Sequence, residues 1–327
     1  MSDLIQIQDW KPSGLRQHDT IDAPPGPRQR VAKPRLPDWL RKGQTHFESV
    51  TLLKQQLRRL RLHTVCESAR CPNLHECFHR GAATFMILGN LCTRGCGFCS
   101  VPKASPEKHT FTLDPDEPRH IAQMAANLRL RYVVITSVNR DDLEDGGSAH
   151  FAQTVREVRR ALPQAQVEVL TPDFCGDLRA VERVLDAGPH VFNHNMETVP
   201  RLYRRVRPQA DYLRSLRVLA HARQYRPEVL TKSGFMVGLG ETEQEVHQLL
   251  RDLRSCGVDV ATIGQYLQPT RRNLPVVEYV SPKQFDAYRD FGLSLGFRMV
   301  FSGPFVRSSY MADLVKDQAV PHEVSRT

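Results

Sequence analysis

Three cysteines lie close together in the segment 90–100, which reads NLCTRGCGFCS. Cys92, Cys96 and Cys99 form a C-x3-C-x2-C triplet, and Phe98 stands directly before the last of them. Three thiolates on one loop can hold three corners of an iron–sulfur cube, whereas most protein clusters have four cysteine ligands. The triplet therefore indicates a cluster whose fourth iron is open to a small molecule. A structural zinc loop is the alternative, although zinc sites more often use C-x2-C or C-x4-C pairs and need a fourth ligand.

A second cysteine triplet precedes the first along the chain. Cys66, Cys71 and Cys77 have the spacing C-x4-C-x5-C, so six of the eight cysteines fall into two neighbouring groups. His75 and His79 stand beside the second group and are able to complete a small zinc knot. The spacing alone leaves a zinc knot and another iron–sulfur cluster open as interpretations of this segment.

The composition limits the compartment and the partners. At 327 residues and 40% hydrophobic, the chain has room for one large domain with extensions or for two domains. No apolar run approaches the roughly 20 residues of a membrane span, and the N-terminus lacks the pattern of a signal peptide. We therefore expect a protein of the cytoplasm, or of an organelle matrix if the source has one, without membrane contact. Thiols stay reduced there, so the cysteines are expected to serve metal or redox chemistry. The net charge of +9 permits an anionic cofactor, a nucleic acid or an acidic protein partner.

The chain divides into four segments by composition and by the pattern of apolar residues. Residues 1–40 are rich in proline and charge and are predicted to form an extended N-terminal arm. Residues 41–82 begin with helical spacing of leucines and contain the second triplet. Residues 83–297 alternate short apolar runs with amphipathic stretches, and residues 298–327 form a C-terminal segment.

Six strand–helix units follow one another within the third segment. The predicted strands are 84–88, 132–136, 167–170, 190–193, 230–237 and 260–265. The predicted helices are 117–128, 149–162, 177–187, 212–224, a stretch around 246–253, and 282–295. Such repetition requires a parallel sheet with right-handed crossovers. The expected fold is α/β, a partial (β/α)6 TIM-type barrel with N- and C-terminal extensions, and a further extended piece at 298–301 precedes the tail.

The first triplet follows the first predicted strand, on the face where barrel enzymes carry their chemistry. Polar residues and glycines follow the second, fourth, fifth and sixth strands on the same face. They are Ser137, Asn139, Arg140, Asp141, Asn193, His194, Asn195, Glu197, Gly238, Gly240, Glu241, Gln265 and Tyr266. Because the C-terminal ends of parallel strands meet at one edge, we expect these residues to surround the triplet.

The C-x3-C-x-aromatic-C loop after a first barrel strand resembles that of the radical S-adenosylmethionine superfamily. The second triplet, together with RSSY at 307–310, resembles the lipoyl synthase family within it. Stretches at 136–147, 192–208 and 234–242 are similar to that family as well. The resemblance covers about residues 40–315, and no motif position departs from the family pattern.

The resemblance implies two 4Fe–4S clusters with different tasks. The first triplet is implied to hold the cluster that binds and cleaves S-adenosylmethionine, and the second to hold an auxiliary cluster. Ser309 is implied as the fourth ligand of the auxiliary cluster, with Ser308 as the alternative. The implied substrate is an octanoyl group on a lysine of a lipoyl carrier domain of 2-oxoacid dehydrogenases or of the glycine cleavage H protein. Sulfur enters at C6 and C8, with the auxiliary cluster as its source, and two molecules of S-adenosylmethionine are used per product.

Six strand-end residues are predicted to contact S-adenosylmethionine, from their position and from the resemblance. Gly238 and Gly240 would let the backbone approach the adenine or the ribose, Asn195 and Glu197 would meet ribose hydroxyls, and Asn139 and Arg140 would meet the methionyl end. The implied partners also include a low-potential electron donor such as flavodoxin or ferredoxin, and a carrier that rebuilds the auxiliary cluster.

Two other functions fit parts of the pattern. A radical enzyme with two clusters is able to add methylthio groups to tRNA, but such a protein is expected to carry a separate RNA-binding domain. No aromatic-rich sheet motif or long basic tail is present, so nucleic acid is not expected as a partner. A zinc-binding interaction protein without catalysis is the other alternative. A brown protein with about eight irons per chain would exclude it, because two cubes hold that number.

Overall fold

The described residues of the computed structural model are 36–40, 55–68, 73, 76, 82–109 and 111–309. The predicted arm before residue 36, the start of the predicted helix before residue 55 and the tail from residue 310 lie outside them. Cys71, Cys77, His75 and His79 lie outside them as well. The backbone of Cys66 is described, whereas its side chain is not.

One eight-stranded sheet organises the described residues, with its strands in chain order. The strands are β1 (His63–Thr64), β2 (Ala82–Ile87), β3 (Tyr132–Ser137), β4 (Gln166–Leu170), β5 (Val191–Asn193), β6 (Leu230–Val237), β7 (Val260–Gln265) and β8 (Met299–Gly303). β1 pairs antiparallel with β2, and all later neighbours are parallel. Because β1 and β8 are its edges, the sheet is an open, partial barrel.

Amphipathic helices connect the parallel strands. The helices are α1 (Val65–Ser68), α2 (Glu117–Asn127), α3 (Ser148–Ala161), α4 (Leu178–Asp186), α5 (Tyr203–Val206), α6 (Tyr212–Tyr225), α7 (Glu243–Ser255) and α8 (Pro282–Ser294). α7 begins at a capping box, in which Thr242 and Glu245 each bond the other's backbone N–H. Its apolar stripe is fully buried, at Val246, Leu249, Leu250 and Leu253. No helix within the described ranges is long and apolar enough to cross a membrane.

The six predicted strands and the six helices that follow them are confirmed, with ends that differ by a few residues. The extended piece predicted at 298–301 is a seventh parallel strand, β8, in which Met299 pairs with Val260 of β7. A single short apolar run without a following helix carries no sequence signal that assigns it to the sheet. The division of the chain into four segments stays a prediction.

A buried ion pair joins two strands inside the barrel. Lys232 of β6 lies 3.0 Å and 3.1 Å from the two carboxylate oxygens of Glu168 on β4, and both side chains are fully buried. Tyr132 donates to the same carboxylate from β3 at 2.8 Å, and Asn193 donates from β5 at 2.9 Å. Removing one partner of such a pair typically costs about 3–5 kcal/mol, so this network fixes four adjacent strands in register beneath the strand ends.

Candidate active site

The loop that carries the first triplet begins with a fixed turn at the end of β2. Leu88 and Gly89 both have positive φ, 68° and 88°, so the chain reverses sharply there. The backbone N–H of Leu88 donates to the buried carboxylate of Glu117 at 2.8 Å. His150 Nε2 lies 2.7 Å from the same carboxylate oxygen. α2 and α3 therefore hold the point from which the cysteine loop leaves the sheet.

Cys92 contacts the end of the neighbouring strand. Its Sγ accepts from the backbone N–H of Asn139 at 3.3 Å and from Asn139 Nδ2 at 3.8 Å. In return, the N–H of Thr93 donates to the carbonyl of Asn139 at 3.1 Å. The structure thus places Asn139 beside the thiol, as expected from its position after β3.

Two further segments clamp the middle of the loop. The N–H of Gly97 donates to the carbonyl of Val206 at 2.9 Å, and the N–H of Leu274 donates to the carbonyl of Gly97 at 3.0 Å. Asn273 Nδ2 donates to the carbonyl of Cys99 at 3.0 Å. A Cβ added at Gly97 would lie 2.9 Å from the Leu274 side chain. Glycine is therefore required for this close approach.

Arg94, between the first two cysteines, anchors the loop to two strand ends. Its guanidinium binds Asp141 through two hydrogen bonds of 2.7 Å and 2.8 Å, and Asp173 at 2.6 Å. Asp173 is fully buried and also accepts from Arg214 at 3.2 Å. Burial by itself would raise the pKa of Asp173, but the hydrogen bond from Arg94 and the positive charges of Arg94 and Arg214 together outweigh burial and lower that pKa to about 2. Sequence reasoning did not single out Arg94 or Asp173, because an arginine between cysteines carries no periodic signal of burial.

Replacing Arg94 by alanine is expected to weaken retention of a bound cluster roughly 10- to 100-fold, as for groups that orient metal ligands. The change removes the cation that joins the loops after β3 and β4. The buried carboxylate of Asp173 then lacks its ion pair with Arg94. Iron content and visible absorbance after anaerobic challenge with a chelator measure this. Arg183→Ala is the matched control, because the partners that this partly exposed arginine loses, Asp145 and Ser148, do not belong to the cysteine loop. Equal retention by both variants would contradict the anchoring role of Arg94.

The three thiols suit iron–sulfur chemistry. Burial raises the pKa of Cys96, and it raises the pKa of Cys99 to about 11, with the neighbouring thiols adding to both shifts. A bound metal replaces such protons and stabilises the thiolates, and sulfur is the ligand that iron clusters use. Among the described residues, no three histidine, cysteine or acidic side chains converge on one point, as a single metal ion requires.

A cavity of about 530 Å³ opens at the C-terminal ends of the strands. All three cysteines of the first triplet line it, as do polar residues from the ends of the neighbouring strands. Within the described residues, five polar atoms of its lining are buried without a hydrogen-bond partner. They are Ser137 Oγ, Asn139 Oδ1, His194 Nε2, Asn195 Oδ1 and Arg207 Nε. Because buried polar groups are normally paired, these atoms indicate that a polar molecule binds against them, next to the thiols.

Glu197 and Arg207 place opposite charges in the same cavity. Glu197 has a φ of 65°, rare for a residue with a side chain, and its Oε1 accepts from Asn195 at 2.9 Å. Burial raises the pKa of Glu197. Arg207 is 8% exposed and donates to the carbonyls of Asn195 and Met196 at 2.8 Å and 3.1 Å. Arg207 was not predicted as a cavity residue, because it stands in a run of arginines of which Arg204 and Arg205 are exposed.

Arg140 is not among the residues that line the cavity. Its guanidinium forms an ion pair with Asp142 at 2.7 Å and donates to the carbonyl of Leu88 at 3.4 Å. It also lies over the ring of Phe111, 4.9 Å from the centroid. These contacts hold the end of β2 against the loop after β3, and a direct contact of Arg140 with S-adenosylmethionine stays a prediction.

Gly238 and Gly240 also stand outside the lining. Both have positive φ, 99° and 107°, in the turn after β6. A Cβ added at Gly238 would lie 2.2 Å from Gln265 Nε2 and 2.5 Å from the carbonyl of Glu278. Glycine at 238 is therefore explained by turn geometry and close packing, and the nucleotide contacts proposed for the two glycines stay predictions.

Segments from both ends of the chain meet at this cavity. Val65 and Asn73 line it from the segment of the second triplet, and Ser308 and Ser309 line it from the C-terminal segment. Asn73 Nδ2 donates to the carbonyl of Phe305 at 2.6 Å, which joins the two segments directly. Val65 and Asn73, which stand next to Cys66 and close to Cys71 in the sequence, therefore face the same space as the serines of RSSY.

Comparisons with known proteins identify the family of this chain. The family model of the radical SAM superfamily matches residues 86–253. The model for the N-terminal domain of lipoyl synthase of the radical SAM family matches residues 6–71. The first match spans the strands and helices from β2 to α7, and the second includes Cys66 and Cys71.

Similar curated proteins cover most of the chain. The lipoyl synthase of Rubrobacter xylanophilus is 54% identical over 87% of this chain and 88% of its own length. That of Caldanaerobacter subterraneus subsp. tengcongensis is 53% identical over 86% of this chain and 96% of its own length. Among solved structures, methylornithine synthase has the same fold, with a TM-score of 0.51 and 14% identity over 76% of this chain and 82% of its own. The chain belongs to the lipoyl synthase family of the radical S-adenosylmethionine superfamily.

Proposed function

We propose that the protein inserts two sulfur atoms, at C6 and C8, into an octanoyl group attached to a lysine of a carrier protein. One observation carries the proposal: a single cavity is lined by the first cysteine triplet, by the segment of the second triplet and by the serines of RSSY. A radical source and a sulfur source would thus face one substrate. Family membership supports the use of an iron–sulfur cluster and S-adenosylmethionine, and action on octanoylated carrier proteins.

The chemistry explains why the cavity has few acid–base groups and many apolar ones. The C–H bonds of a fatty chain are not polarised, so general acid or base groups cannot activate them. When bound at Cys92, Cys96 and Cys99, a cluster and S-adenosylmethionine supply the radical that removes hydrogen. The apolar part of the lining suits an octanoyl chain and excludes water. It includes Met86, Val138, Leu170, Phe235 and Met236.

The polar side of the cavity is proposed to bind S-adenosylmethionine. The unpaired amide oxygens of Asn139 and Asn195 accept hydrogen bonds from its amino or hydroxyl groups. Burial lowers the pKa of His194 to about 4, so its ring is neutral near pH 7 and its free Nε2 adds no positive charge. The carboxyl group of Glu197 binds the ribose hydroxyls. The positive φ of Glu197 and the hydrogen bond from Asn195 hold this carboxyl group in place. The guanidinium of Arg207 is positioned in the same cavity to pair with the carboxylate of S-adenosylmethionine.

The auxiliary cluster is, in this proposal, a sulfur substrate held by Cys66, Cys71, Cys77 and Ser309, with Ser308 as the alternative serine. A serine oxygen is a harder ligand than a thiolate and binds iron less well than sulfur does. It is therefore the ligand that leaves most readily when sulfide passes to the substrate. Two 4Fe–4S clusters and two molecules of S-adenosylmethionine per product follow from this scheme.

The proposed partners follow from what each turnover consumes. Octanoylated lipoyl domains of 2-oxoacid dehydrogenases and the glycine cleavage H protein are the substrates. A low-potential donor such as flavodoxin or ferredoxin supplies electrons, and a cluster-assembly carrier restores the auxiliary cluster. The net charge of +9 favours association with acidic partners.

A single-turnover reaction tests the proposal. The protein is reconstituted with heavy sulfide and incubated anaerobically with S-adenosylmethionine, dithionite and an octanoyl-lysine peptide. We expect 5′-deoxyadenosine and a peptide that has gained two heavy sulfur atoms, measured by mass spectrometry. A product with light sulfur would contradict the auxiliary cluster as the source. A colourless protein that contains zinc, or methylthio groups on tRNA instead of a thiolated peptide, would contradict the proposed function itself.

A further inference from the structure

Four exposed arginines are carried by the two segments that clamp the first cysteine loop. Arg204 and Arg205 belong to α5, and Arg271 and Arg272 follow β7. We call these four residues the arginine collar. Within the described ranges, no carboxylate forms an ion pair with any of them. Other cations in the strand-end loops are paired with carboxylates, as Arg94, Arg140 and Arg201 are. The collar is therefore a concentration of uncompensated positive charge.

The collar lies directly against the loop that holds the first triplet. A Cβ added at Gly97 would lie 2.9 Å from the Leu274 side chain and 3.3 Å from the carbonyl oxygen of Arg205. Both arms of the collar thus pack on one glycine between Cys96 and Cys99. Lys103, which is exposed, adds a cation by donating from Nζ to the carbonyl of Cys96 at 2.8 Å.

The cavity does not use the collar. Arg207, the next arginine after Arg205, is buried and lines the cavity. The four collar residues are exposed and absent from the lining. The arginines of this short stretch therefore lie in two places. Arg207 lines the cavity, whereas Arg204 and Arg205 of α5 are exposed.

We propose that the arginine collar docks an acidic one-electron carrier protein against the outer side of the cysteine loop. The inference rests on the proposed function, which consumes one electron for each S-adenosylmethionine cleaved. That electron breaks one C–S bond of S-adenosylmethionine. Once a hydrogen atom has been taken from the substrate, the products are methionine, 5′-deoxyadenosine and a substrate carbon radical. The carrier protein loses the electron and is oxidised by one unit.

Geometry favours an electron donor over the octanoylated substrate at this surface. The octanoyl chain must enter the cavity physically, so its carrier has to sit at the cavity mouth. An electron needs only a short path, and both segments that carry the collar contact Gly97, which stands between Cys96 and Cys99. Positive charge beside the loop steers an acidic donor to this position, and such steering weakens as salt screens it.

Charge reversal in the collar tests the proposal. The variant Arg204→Glu with Arg271→Glu is compared with Arg156→Glu with Arg217→Glu, which changes the same charge at exposed positions on α3 and α6. The rate of 5′-deoxyadenosine formation is measured with reduced flavodoxin and, separately, with dithionite. We expect the collar variant to be at least about tenfold slower with flavodoxin at low salt, since steering changes association rates by such factors. With dithionite it should match the unaltered protein, and the control variant should be normal with both.

Other outcomes overturn the proposal in distinguishable ways. An equal loss with both reductants would mean that the collar supports the loop rather than a donor. A normal rate with flavodoxin, or a raised KM for the octanoylated carrier alone, would assign donor docking elsewhere. Failure of the unaltered protein to form 5′-deoxyadenosine with dithionite would overturn the proposed function, and the docking proposal with it.

Discussion

Replacing Cys66 by alanine is expected to abolish sulfur insertion while the protein still cleaves S-adenosylmethionine to 5′-deoxyadenosine. The change removes a proposed ligand of the auxiliary cluster and leaves untouched the loop that Arg94, Asn139 and Gly97 hold in place. Mass spectrometry of the octanoyl-lysine peptide and chromatography of the nucleoside products measure the two activities separately. We expect no thiolated peptide, with iron falling from about eight to about four per chain, the content of one cube.

Cys256→Ala is the matched control for this result. Cys256 is buried at the end of α7, packs in the hydrophobic core and belongs to neither triplet. It should keep both activities, apart from the modest stability change expected when a small core residue loses one atom. Loss of nucleoside formation in Cys66→Ala as well would show that the two sites do not act separately.

Replacing Ser309 by alanine is expected to lower the yield of thiolated product roughly 10- to 100-fold, the range for groups that hold or orient a metal. Cleavage of S-adenosylmethionine should continue, because none of the contacts of the first loop involves this residue. Ser308→Ala is the control, since both serines line the cavity and differ by one position. A loss confined to Ser308→Ala would move the ligand to that residue, and no loss in either variant would remove serine from the ligand set.

The elements of the fold were predictable because their burial is periodic. Val246, Leu249, Leu250 and Leu253 recur at helical spacing and are all buried on α7. Strand β6 was predicted with its observed ends, since Leu230–Val237 is buried along almost its whole length. β8 was recognised only as an extended piece, because its place in the sheet is set by its pairing with β7 and not by its own composition.

The site was predictable only in outline. The position of the triplet after β2, and of Asn139, Asn195 and Glu197 at strand ends, follows from parallel-sheet geometry. Sequence cannot separate a buried arginine from an exposed one in a run such as RLYRRVRP, so Arg207 was missed. For the same reason, the ion pair of Arg140 with Asp142 was not predicted, and the contact of Arg140 with S-adenosylmethionine stays a prediction.

The hydrogen bond between Asn73 and Phe305 joins residues 232 positions apart in sequence. A ribosome adds about 5–20 residues per second, so roughly ten to fifty seconds separate the emergence of these two residues during translation. The nascent chain therefore presents Asn73 long before Phe305, and the serines that line the same cavity, exist. Under the proposed function, the auxiliary cluster gains its serine ligand only after this interval. The thiols of the second triplet must then survive that interval without oxidation or capture of the wrong metal.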